Sequence, residues 1–115
     1  MRKVTVVDGH CDTPMELWQK AEHLTRNSGH VSLQRAEALS GYVQFYAFCT
    51  VWLPKTDSFE GHYEKALAYF NRELDENADR IVRCSNEKDA RAAIAAGKCG
   101  AFLSIEGAEA ISCDP

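Results

Sequence analysis

Along this chain the apolar positions fall into two rhythms. Val4 to Val7, Tyr42 to Leu53 (YVQFYAFCTVWL) and Cys99 to Ile105 (CGAFLSI) are short runs rich in β-branched and aromatic residues. Such side chains suit a pleated, packed surface. Near-continuous apolarity predicts strands buried on both faces, as in a parallel sheet covered by helices. Arg80 to Cys84 (RIVRC) reads as a shorter strand. Between these runs the spacing becomes helical. Met15 to Arg26 places Leu17, Trp18, Ala21 and Leu24 on one face, and Asn27-Ser28-Gly29 stops it. His30 to Leu33 reads as an extended passage, and Gln34 to Leu39 as a helical turn closed by Ser40-Gly41. Glu60 to Asn77 carries a stripe of Tyr63, Ala66, Leu67, Phe70 and Leu74, with Glu64, Lys65, Arg72 and Glu73 off it. Pro54 and Asp57-Ser58 form the loop before it. A last helix is capped by Ser85 or Asn86, has Glu87 and Asp89 in its first turn, and ends at Gly97.

Strand and helix alternate throughout, which predicts an α/β architecture of right-handed βαβ units. No repeat, low-complexity segment or linker divides the chain, so residues 1–115 read as a single piece of one domain. Composition adds mostly exclusions. The chain has 115 residues, a net charge of −4 and 45% hydrophobic residues. Mild acidity gives no electrostatic footprint for nucleic acid, and no basic run suggests an anionic membrane surface. The longest apolar stretch is too short to span a bilayer. Met1-Arg2-Lys3 is followed by a strand rather than a signal-peptide core, so the expected compartment is the cytoplasm. Five cysteines (Cys11, Cys49, Cys84, Cys99, Cys113) form no Cys-x-x-Cys pair and suit small buried hydrophobes. Cys11 stands apart because it lies beside the candidate chemistry, where a metal would lower its pKa.

That chemistry sits at strand ends. The first strand runs into Asp8-Gly9-His10-Cys11-Asp12-Thr13-Pro14. Residues two apart on an extended chain point the same way, so His10 and Asp12 project together and Cys11 turns away. An imidazole beside a carboxylate suits a divalent metal such as zinc. It also suits a plain structural hydrogen bond. The last strand repeats the logic by delivering Glu106 to a turn at Gly107. In parallel α/β folds such strand ends share one face, where active sites are built. His30 reads as an exposed or capping residue, and His62 as part of a solvated helix face.

Taken together, three motifs resemble the renal (membrane) dipeptidase family, the M19 metallopeptidases. They are Asp8 to Pro14, then His30-Val31-Ser32-Leu33-Gln34-Arg35 with Gln44-Phe45-Tyr46-Ala47, and Ser104-Ile105-Glu106-Gly107. The resemblance implies the N-terminal part of a (β/α)8 TIM-like barrel of the metal-dependent hydrolase (amidohydrolase) type. It implies two zinc ions and cleavage of dipeptides whose C-terminal residue is L or D. His10 and Asp12 would ligate one zinc, and Glu106 would bridge both as the catalytic-site carboxylate. Substrate-binding residues are not assigned within this chain. Family members often carry a histidine shortly after the bridging glutamate, where Glu109 stands here. A barrel of this type takes about 250 residues, so the family's later histidine ligands fall beyond Pro115. His23, His30 and His62 match none of them. The chain alone is therefore expected to be inactive, and to self-associate or pair with the missing C-terminal portion. Two other readings remain. One is a different amidohydrolase-type hydrolase, against which Asp12 counts because those usually begin His-x-His. The other is a metal-free α/β interaction module with a structural His-Asp pair.

Overall fold

The computed structural model describes residues 4–49 and 59–107, with only the backbone of residues 59 and 60. The elements are β1 (Thr5–Cys11), α1 (Thr13–Lys20), α2 (Leu33–Ala36), β2 (Gly41–Cys49), α3 (Phe59–Glu76), β3 (Ile81–Arg83), α4 (Glu87–Ala95) and β4 (Cys99–Glu106). The strands form one parallel sheet in the order β1-β2-β4-β3. The alternation read from the sequence is borne out. The end of the run predicted to reach Leu53, and the loop at Pro54 and Asp57-Ser58, lie outside the described residues, as do Ala108, Glu109 and Cys113.

The strand order is not the chain order, and handedness then decides which face each helix covers. The steps β1 to β2 and β2 to β3 advance across the sheet one way, while β3 to β4 steps back. Parallel crossovers are almost always right-handed, so the reversed step places α4 on the face opposite α1 and α3. Phe70 of α3 accordingly packs on Tyr46 and Phe48. On the other face α4 approaches so closely that a Cβ on Gly41 would meet Ile94 Cγ2 and Thr5 Cγ2 at 3.1 Å. Only glycine fits there without displacement.

The main core lies between the sheet and α1/α3, with Met15, Leu17, Leu24, Tyr46, Phe48 and Phe70 among its buried members. The far face keeps Val7 exposed and carries Phe45 stacked on Phe102 at 4.6 Å between centroids. Beyond Ala101, β4 has no strand on its outer side among the described residues.

Three local expectations are corrected. The first helix does not reach Arg26. It ends at Ala21 in the left-handed region (φ 53), with the Glu22 N–H donating to Leu17 O at 3.0 Å as in a Schellman ending. Leu24 is still buried, but from a loop. Glu73, read as lying off the apolar stripe of α3, is only 2% exposed. Its Oε2 accepts the Leu24 N–H at 2.8 Å and its Oε1 meets His23 Nδ1 at 2.9 Å. This carboxylate replaces the missing helical turns as the partner of the loop. His62 is not simply solvated either, because its ring meets Trp18 edge-on at 5.4 Å. The capping of α4 holds: Asn86 accepts the Asp89 N–H at 2.9 Å, and Gly97 takes φ 72 just past the helix. His30 is exposed and does not cap α2, whose N-cap is Ser32.

Candidate metal centre

β1 leaves regular pairing just before its end. Thr5 to Asp8 pair one-for-one with Gly41 to Gln44, but the next pair is Cys11 with Tyr46. Three steps on β1 thus oppose two on β2, which is a β-bulge, a device that re-aims side chains. Without the extra residue His10 would share the helix-covered face with Val6 and Asp8. With it, Cys11 takes that face and packs against the core, and His10 joins Thr5 and Val7 on the open face. The His10 N–H donates to Asp8 Oδ1 at 3.1 Å and so holds the turn.

Asp12 is next, as the N-cap residue of α1. An aspartate there ordinarily accepts a helix N–H. This one makes no such bond, and Pro14 in the first turn has no N–H to offer. Its Oδ1 lies instead 3.2 Å from His10 Nε2. Glu106 arrives at the end of β4 opposite Cys49, before Gly107 at φ 98. Its Oε2 is 3.3 Å from the same His10 Nε2.

Strand order makes this meeting possible. Neighbouring strands lie about 4.8 Å apart, so β1 and β4, separated only by β2, are about 10 Å apart. A third strand between them would have taken Glu106 out of reach. Displacing β3 to the edge brings the carboxylate in.

His10, Asp12 and Glu106 each offer one donor atom, and the three lie within 4.8 Å of one another. No other such group of three occurs among the described residues. One imidazole nitrogen and two carboxylate oxygens, with His10 and Glu106 exposed and Asp12 half-buried, form a donor set that could hold a divalent metal ion. The N-cap aspartate is thus turned from its helix toward the histidine. The Cys11 thiol plays no part in this geometry, and burial pushes its pKa up. His30 stays exposed, and His23 is engaged by Glu73. A cleft lined by Leu39, Gly41, Arg80 and Lys98 opens at the opposite end of the strands.

A family model described as membrane dipeptidase, peptidase family M19, matches residues 1–115. The chain belongs to the M19 family. Two solved structures share its fold. A metallo peptidase from Rhodobacter sphaeroides, liganded with a phosphinate mimic of the dipeptide L-Ala-D-Ala, superposes with a TM-score of 0.78 at 19% identity, covering 96% of this chain and 40% of that one. The M19 metallo peptidase dipeptidase AC gives 0.73 at 24% identity, with 96% and 37% covered. The chain thus spans well under half the length of either. These likenesses make the sheet part of the TIM-barrel-like fold of M19 dipeptidases. No curated protein matches the sequence.

Sequence reading named two polar residues without foreseeing that both are buried. Glu73 stands seven residues after Ala66 and three after Phe70, on the buried edge of the stripe. Gln44 interrupts an otherwise apolar strand, and it is fully buried.

Proposed function

We propose that this chain supplies the N-terminal part of a metal-dependent dipeptidase, with His10 and Asp12 ligating one zinc ion and Glu106 bridging it to a second. The convergence of His10, Asp12 and Glu106 from the ends of β1 and β4 carries this reading. Held there, the metal would supply Lewis acidity toward a scissile carbonyl and would activate a water. The chain's own residues fix where that happens. The bulge holds the imidazole on the open face, Asp12 meets it from the start of α1, and Glu106 closes the group from across β2. Because Glu106 would be shared by both ions, its loss would weaken both sites together. The substrate is a dipeptide, with an L or D residue at its C-terminal side. The phosphinate dipeptide mimic on the Rhodobacter sphaeroides relative supports that class. The remaining ligands and the substrate clamp come from groups this chain does not contain, so the chain alone leaves dipeptides uncleaved. Its β4 edge and half-covered Ile105 favour pairing with another copy or with a C-terminal portion.

Zinc content after loading and desalting tests the site on wild type, His10→Ala and Glu106→Ala. Wild type is expected to retain metal that both variants lose. Equal content in all three would return His10 and Asp12 to a structural role. Light scattering tests the pairing, and a monodisperse monomer would overturn it.

A further inference from the structure

We infer that Gln44 is a positioning residue for the metal centre, its buried amide pinning the β1 bulge that aims His10 at Asp12 and Glu106. This rests on the proposed metal role of those three residues. Gln44 is 0% exposed, in the middle of β2, and pairs with Asp8, the last residue of β1 in register before the bulge. Its Nε2 donates to Asp8 O at 3.4 Å and to Phe45 O at 3.0 Å. Both acceptors are carbonyls, so this end of the amide must be the NH2 group. The Oε1 end accepts a bond from the Tyr42 hydroxyl. Burial pushes the Tyr42 pKa up, which keeps that hydroxyl a donor. The amide therefore has one orientation. It ties β2 to the carbonyl of the residue whose own Oδ1 accepts the His10 N–H.

A buried glutamine in an apolar strand is costly unless each polar atom has a partner, and an apolar residue would pack β2 against the core more simply. What the amide adds is a fixed point at the place where the β1 ladder loses register. Partners that orient a metal ligand typically change metal affinity about 10–100-fold when removed.

The test uses Gln44→Met, which keeps length and loses the amide, and Tyr42→Phe, which keeps the amide and loses what orients it. Leu74→Ala serves as a control that destabilises the fold away from the bulge. Co2+ affinity and the d–d absorption of the Co2+ complex are read on each folded chain, with amide hydrogen exchange of Gly9, His10 and Cys11 in the metal-free protein. Gln44→Met is expected to weaken Co2+ binding about tenfold or more, alter the d–d spectrum and speed exchange at those amides. Tyr42→Phe should do the same to a smaller extent, and Leu74→Ala should change neither spectrum nor exchange there. Unchanged exchange in Gln44→Met would overturn the inference, as would an equal effect from Leu74→Ala. If Gln44→Met does not fold, unchanged exchange and affinity in Tyr42→Phe would overturn it. Absence of Co2+ binding by wild type would sink the metal reading instead, and the exchange measurement would still decide the role of Gln44.

Discussion

Two histidine–carboxylate pairs in this chain look alike at short range and differ in everything around them. His23 Nδ1 lies 2.9 Å from Glu73, and His10 Nε2 lies 3.2 Å from Asp12 and 3.3 Å from Glu106. The Glu73 side chain is 3% exposed, and its second oxygen is occupied by a backbone N–H. The Glu106 side chain is 52% exposed, and it converges with a second carboxylate on a single nitrogen. In the first pair a carboxylate satisfies the chain's own donors. In the second, two carboxylates converge on one solvent-accessible ring, the arrangement we propose a cation completes. Hydrogen-bond distance alone therefore does not separate a clasp from a site. Burial and the count of convergent donors do.

The two pairs part most clearly when each loses its glutamate. Glu106→Ala is expected to abolish retained zinc while shifting the unfolding free energy of the metal-free chain by no more than about 0.5 kcal/mol, as for an exposed side chain. Glu73→Ala should do the reverse. It leaves a buried Leu24 N–H without its charged acceptor, a loss of about 2–4 kcal/mol, with metal content per folded chain unchanged. Urea unfolding beside metal analysis reads both. A Glu73 variant that loses zinc at full stability would make the clasp part of the site. Glu73→Gln sharpens the contrast, since it keeps an oxygen for Leu24 and gives up the charge. Its cost should fall between wild type and Glu73→Ala.

The strands, the caps and the pairing of His10 with Asp12 were legible because each rests on local periodicity or turn chemistry. Val4 to Val7 announce a strand, and His10 and Asp12 do lie on one side. The bulge was hidden, because period-two reading cannot show that one residue has been inserted and that His10 has thereby changed faces relative to Asp8. The displacement of β3 was hidden for a different reason. RIVRC reads as a strand wherever it pairs, and only tertiary contact decides that β4 slips between it and β2. That decision carries Glu106 to His10. The burial of Glu73 escaped notice because a charged residue at the margin of an apolar stripe looks solvated until a loop folds over it.

The smallest expected effect concerns pH and separates the pairs without touching the metal. The hydrogen bond to Glu73, then its charge, raises the pKa of His23. Glu76 acts in the same direction, while desolvation and Arg72 oppose it. A histidine whose pKa is raised on folding binds its proton more tightly in the folded chain. Its contribution is therefore complete below the unfolded value of about 6.5 and disappears as pH climbs through the raised folded value. Urea midpoints of wild type and His23→Gln, measured at intervals from about pH 5.5 to 8.5 around that value, should differ most at the acid end and converge toward the alkaline end. A difference that stays constant with pH would mean that Glu73 holds the loop through Leu24 alone, with His23 a bystander on its exposed side.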